Sequence, residues 1–174
     1  MPATTKKGAV IVYINDYKVN GEQRFQKKEL RKILGIKAKK TISDDLKAIG
    51  EETYPWTWET VKKLIGLKLF LAIGRGNPKY SRQTYSKLIE LGKELEKALD
   101  EEQLKSLNEE ELKALREEPL NIVFQKYNID IEQEFQKVKN DYQNQQQRTT
   151  FSYRANRRRL DTASTQQSEG KTDE

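Results

Sequence analysis

With 174 residues and a net charge of +6, the chain suits one domain, or one small domain with an appendage. Apolar and charged residues each make up 34% of it, so a large core is not expected, and a small core carrying exposed helices fits better. Cysteine and histidine are both absent, which removes disulfides, thiolate chemistry, the commonest zinc ligands and the usual general base near neutral pH.

The charge is unevenly placed. Residues 1–80 carry 17 Lys/Arg against 8 Asp/Glu, residues 81–147 carry 10 against 15, and residues 148–174 carry 6 against 4. The basic surplus therefore marks the first half as the one to meet a polyanion. No apolar run reaches the roughly 20 residues that a membrane span needs. "MPATTKKGAV" lacks the apolar region of a signal peptide. A cytoplasmic protein with no membrane partner, no metal and no cofactor is expected. Nor does a glycine-rich phosphate loop or a catalytic constellation stand out, so an enzyme is the least expected class.

"AVIVYI" (Ala9–Ile14) is a β-branched run that reads as a strand. Asn20-Gly21, inside "YKVNGEQRF", is the commonest signal for a two-residue hairpin turn. A short strand or hairpin should thus precede the first helix. "KKELRKIL" (Lys27–Leu34) sets Leu30, Ile33 and Leu34 on one helical face, and Gly35 should end that helix in a left-handed conformation. A second helix is expected from about Ala38 to Ile49. Ile42, Leu46 and Ile49 share its inner face, while Lys40, Asp44 and Lys47, with Ser43 beside them, lie opposite. Gly50 closes it. In "EETYPWTW", Pro55 forbids a continuous helix and the aromatics favour extended backbone. Thr57 is a good N-cap for a helix over Trp58–Ile73 that is apolar nearly all round and so buried on more than one side.

"GRGNPKYS" is a turn by composition. Ser81 can cap one helix running on to "QLKSL", and Asn108 another with a break or kink at Pro119. "IDIEQEFQKVKNDYQ" supplies a third candidate. Beyond about Gln143 the apolar periodicity stops, and a disordered tail is expected.

Two short helices joined by a glycine turn, the second with a basic and polar outer face, describe a helix-turn-helix. In that arrangement the first helix crosses the DNA backbone and the second presents its N-terminal residues to the major groove. Here those residues are Lys37, Lys39, Lys40, Thr41, Ser43 and Asp44. A lysine can donate to guanine or pair with phosphate, Thr41 and Ser43 can donate or accept, and Asp44 can accept from cytosine. Lys27 and Lys28 would touch phosphate, which positions without specifying. A lysine-rich corner is also a common solvated surface. Trp56 and Trp58 can close the small core, and Tyr54 or Trp56 can pack the wing against a sugar-phosphate edge; both can hold, with one tryptophan in and one out. Arg75 can reach phosphate or stay solvated. The basic "YRANRRRL" (Tyr153–Leu160) either adds unspecific attraction to DNA or is an ordinary charged tail.

"FQKKELRKILGIKAKKTISDDLKAIG", followed by "YPWTWETVKKLIGLKLFLAIGRG", resembles the MerR family of transcription regulators. Thr57, Glu59, Val61, Leu64 and Gly74 occupy positions of that family's pattern. The small MerR-like repressors of cyanobacterial CRISPR-associated transposons look similar in build. The resemblance covers roughly Phe25–Gly76. It implies a mainly α fold: a winged helix-turn-helix with a short N-terminal strand or hairpin, followed by a helical dimerisation region. It also implies double-stranded DNA as partner and a homodimer joined by the helix that starts near Ser81. Candidate seam residues on that helix are Tyr85, Leu88, Ile89, Leu95 and Leu99. The chain departs from the pattern at Arg31, where the family has a small residue, in the longer "GIKAKKT" turn, and at Ser43, Asp44 and Asp45, which replace an arginine-tyrosine pair.

The expected organisation is a DNA-binding domain over 1–77, a helical dimerisation region over 78–147 and a disordered tail over 148–174. The leading expectation is a dimeric, sequence-specific repressor at a palindromic operator, with no small-molecule effector evident. An excisionase-like or architectural DNA-bending protein is the alternative. A module whose acidic helices bind a protein partner is a third reading.

Overall fold

The computed structural model describes residues 18–19, 22–75 and 77–166, and the fold is mainly helical. The strand expected over Ala9–Ile14 lies outside the described residues, as does Asn20-Gly21. The strands on either side of that dipeptide are described: β1 (Lys18–Val19) pairs antiparallel with β2 (Glu22–Gln23), Lys18 facing Gln23 and Val19 facing Glu22.

The first helix, α1 (Lys27–Leu34), starts where the Gln26 backbone N–H donates to Glu29 Oε2 at 2.8 Å. It ends at Gly35 with φ +66°, and the Ile36 N–H closes back onto the Arg31 carbonyl at 2.8 Å. Lys68 Nζ also donates to the Leu34 carbonyl, 3.1 Å away, so the chain's own cation meets the negative end of α1. The second helix, α2 (Lys39–Ala48), buries Ile42, Leu46 and Ala48, with Ile49 just past its end, against a face of α1 that buries Leu30 and Leu34. Gly50 follows with φ +77°.

The next segment is tied down rather than loose. Phe25 N–H donates to the Trp56 carbonyl at 2.7 Å, an isolated antiparallel bridge, and the Trp56 indole N–H donates to the Glu51 carbonyl at 2.9 Å. Phe25 is fully buried, edge-on to Trp58 with ring centres 4.8 Å apart. The third helix, α3 (Trp58–Ile73), opens on Thr57, whose N–H donates to Thr60 Oγ1 at 3.1 Å. It buries Val61, Leu64, Ile65, Gly66, Leu67 and Phe70, so it is enclosed on several sides as its composition predicts.

After a 3₁₀ turn at Pro78–Tyr80, α4 (Arg82–Lys97) begins at Ser81, which accepts from the Thr84 N–H at 3.2 Å. The single helix expected from here to residue 107 is two. Asp100 accepts from the Gln103 N–H at 2.8 Å and caps a separate short helix, α5 (Glu101–Ser106), because a capping carboxylate there outcompetes helix continuation. Asn108 caps α6 (Glu109–Lys126) by accepting from the Glu111 N–H at 2.8 Å. Pro119 does not break α6; it lies buried within it.

α4 and α6 pack on each other at very short range. Gly92 is where they touch: a Cβ built there would lie 1.8 Å from the Arg116 carbonyl oxygen. Arg116 returns across the contact to Glu96 through Nε at 2.5 Å and Nη2 at 2.8 Å.

The chain divides into two compact units, Met1–Phe135 and Gln136–Glu174. The boundary expected at residue 77 falls inside the first. The last helix, α7 (Ile131–Gln166), starts in that unit, where Phe135 is buried and meets Trp58 edge-on at 6.0 Å. In the second unit the backbone stays helical to Gln166, although a disordered tail is expected from residue 148. The segment holds no glycine or proline and is rich in glutamine and arginine. Such residues extend a nucleated helix at little cost, with no apolar periodicity required.

Candidate nucleic-acid interface

Burying Ile42, Leu46 and Ile49 turns the other side of α2 outward. Lys39, Lys40, Asp44 and Lys47 are exposed there, and Thr41 and Ser43 are half-buried. Lys37 is exposed in the corner before α2, and Lys27 and Lys28 are exposed at the start of α1. None of these lysines enters an ion pair among the described residues. Across Lys27–Gly50 there are eight Lys/Arg (27, 28, 31, 32, 37, 39, 40, 47) against three Asp/Glu (29, 44, 45).

The amino end of α2 is built to attract an anion. Its N-cap, Ala38, has no side chain able to accept from the first turn, and no acidic residue sits in that turn. The open backbone N–H groups and the positive end of the helix dipole are left to solvent, and two lysines stand beside them. That is costly for an isolated helix and favourable toward phosphate.

Several expected contact residues are brought together. Lys27 Nζ donates to Ser43 Oγ at 3.2 Å and lies 5.7 Å from the Trp56 ring centre. Tyr54 packs edge-on to Trp56 at 5.8 Å and is 48% exposed. The start of α1, the middle of α2 and the aromatic segment therefore share one edge. Arg75 is exposed just after α3.

Trp56 is only 7% exposed, its indole N–H donates to the Glu51 carbonyl and its backbone bridges Phe25, so it helps to close the core. Of the aromatic segment, Tyr54 is what reaches solvent.

The acidic pair Asp44-Asp45 splits. Asp44 faces solvent, whereas Asp45 is buried and its Oδ1 accepts from Arg82 Nε at 2.6 Å. One of the two negative charges is thus neutralised on the inner side, where it ties α2 to α4. Periodicity could not show this, since the partner lies 37 residues away. Arg31 is a second residue that helical patterning does not single out. Its Nη2 donates to the Lys37 carbonyl, pinning the corner before α2, and its Nε is buried without a partner. Arg31 therefore shapes the turn before α2.

The expected dimer residues fare unevenly. Tyr85 is 3% exposed and packs edge-on to Phe70 at 5.2 Å, so it belongs to the core of its own chain. Leu88, Ile89 and Leu99 are half-buried. Leu95 is exposed, as are Leu91 one turn earlier and Ile122 on α6.

No helix among the described residues is long and apolar enough to cross a membrane, and none of their His, Cys, Asp or Glu side chains cluster in threes as metal ligands would. No protein-family model, curated protein or solved structure matches the chain.

Proposed function

We propose that this protein is a sequence-specific DNA-binding regulator. In this reading α1 and α2 form a winged helix-turn-helix, with the Tyr54–Trp56 segment as wing and α2 entering the major groove. The observation that carries it is the outer face of α2, whose lysines are exposed and unpaired beside an uncapped, positively polarised helix start. Lys27, Lys28, Lys37, Lys39 and Arg75 would pair with phosphates. Lys40, Thr41, Ser43, Asp44 and Lys47 are the side chains within reach of base edges.

A homodimer on a palindrome completes the proposal, because two-fold protein symmetry asks for two-fold related half-sites. Leu91, Leu95 and Ile122 are the exposed apolar residues that support a dimer seam. Repression is the simplest output, since occupying an operator requires binding alone. In the test, the purified full chain is mixed with fragmented genomic DNA and the bound fragments are sequenced. Enrichment of a palindrome upstream of a gene is expected. Fragments drawn instead from recombination ends would favour an architectural role, and no enrichment over bulk DNA would overturn DNA recognition.

A further inference from the structure

Inside the first unit, α3, α4 and α6 enclose a cleft of about 460 Å³ that opens beside the end of α2 at Ile49-Gly50. Its volume falls within the roughly 300–1,000 Å³ range typical of small-molecule sites. The floor is apolar, formed by Gly66, Ile89, Leu120, Phe124 and Ile131 around Tyr85. Gly66 keeps that floor open: a Cβ there would come within 3.0 Å of the Tyr85 hydroxyl, 3.5 Å of Ile131 Cδ1 and 3.8 Å of Phe124 Cζ.

Tyr85 is the polar group at the bottom. Only 3% of the residue is exposed, but its hydroxyl is not among the enclosed unpartnered atoms of the described residues, so it opens onto the cleft. Burial, with the nearby negative charge of Glu117 adding to it, pushes the phenol pKa well up, so the group stays protonated and is a donor without an acceptor. A donor that opens into a largely apolar cleft suits a ligand oxygen as its acceptor.

The rim decides the ligand's charge. Lys63 is paired with Glu51 at 2.5 Å, Lys113 with Glu59 at 3.1 Å, Lys62 with Glu132 at 2.6 Å and Arg116 with Glu96 at 2.5 Å. Of the lining cations only Lys93, which is exposed, has no ion pair among the described residues; the unpaired carboxylates of Glu109 and Glu117 offset it, and Glu117 disfavours an anion next to Tyr85.

We infer that this cleft binds a small neutral molecule, an apolar body ending in a carbonyl, amide or hydroxyl oxygen that accepts from the Tyr85 hydroxyl. The site does not depend on the DNA reading, and its test uses no DNA. Nile red, a neutral apolar dye with a ring carbonyl, is titrated into the full chain and followed by fluorescence. Saturable binding at one site per chain is expected. Tyr85→Phe keeps the ring against Phe70 and removes only the donor; it should weaken binding about five-fold, the worth of one neutral hydrogen bond. Ile89→Trp fills the cleft and should abolish binding, with circular dichroism confirming that the helices persist. An anionic naphthalene sulfonate dye should bind more weakly than Nile red. The inference fails if Nile red does not bind saturably, if Tyr85→Phe binds as tightly as the wild type, or if the anionic dye is preferred.

Discussion

Gly92→Ala is the most exposing perturbation of the helical half. In a solvated helix the exchange gains about 1 kcal/mol of propensity. Here the new methyl would lie 1.8 Å from the Arg116 carbonyl oxygen and 2.7 Å from its carbon. Carbon and oxygen in contact need at least about 3.3 Å, so α4 and α6 must separate by more than an ångström at their crossing. The obstacle is backbone, not the end of a flexible side chain, so local relaxation cannot absorb it. Overpacking of this kind costs about 1–3 kcal/mol, and gaps of 0.5–1 Å along the rest of the contact forfeit roughly a quarter to a half of its dispersion energy. After the propensity gain, a net loss of about 2 kcal/mol is expected, which lowers Tm by about 4–8 °C for a chain of this size. Gly35→Ala provides the contrast: nothing lies within 4 Å, but φ is +66°, so only about 1 kcal/mol of backbone strain is expected. Thermal melts by circular dichroism measure both. A Gly92→Ala protein that melts at or above the wild-type temperature would refute the close crossing.

Arg82→Ala removes the partner of Asp45 and releases α2 from α4; a loss of about 1 kcal/mol is expected in urea unfolding, between the exposed-pair and buried-pair limits. Unchanged stability would mean the pair does not form. Glu96→Gln tests the α4–α6 pair through pH. Hydrogen bonding to Arg116 holds the Glu96 carboxyl below its usual 4.5. A depressed carboxylate stabilises the fold above its unfolded pKa and loses that contribution as pH falls through the folded one. The urea midpoints of wild type and variant should therefore differ most near neutrality and converge on acidification well below 4.5. A difference that grows on acidification would contradict the pairing.

Local signals in the sequence carry most of the described residues from Glu22 to Ile73, and the caps of the helices that follow. The spacing of Leu30, Leu34, Ile42, Leu46 and Ile49, the left-handed glycines Gly35 and Gly50, and the caps Thr57, Ser81 and Asn108 all lie where short-range physics puts them. What escapes the sequence is long-range or competitive. Asp45 meets Arg82 only because α4 folds back on α2. The cleft around Tyr85 exists only once three helices are assembled. Apolar spacing alone cannot say whether Tyr85 faces its own chain or a second copy, and Gly66 and Phe70 settle that it faces inward. The helix past Gln147 is missed for another reason: its sequence there is polar and carries no apolar periodicity to read.

In the proposed function the outer face of α2 touches DNA. The most direct test of that claim is fluorescence anisotropy on a selected genomic fragment over a salt series, comparing wild type with Lys40→Ala/Lys47→Ala. Both lysines are exposed opposite the buried face, so the melting temperature should not move. Affinity should fall at least about ten-fold near 0.1 M salt, and the slope of log affinity against log salt should shrink by about 0.9 for each lysine that pairs with phosphate. A double variant that binds with wild-type affinity and slope would contradict the claim.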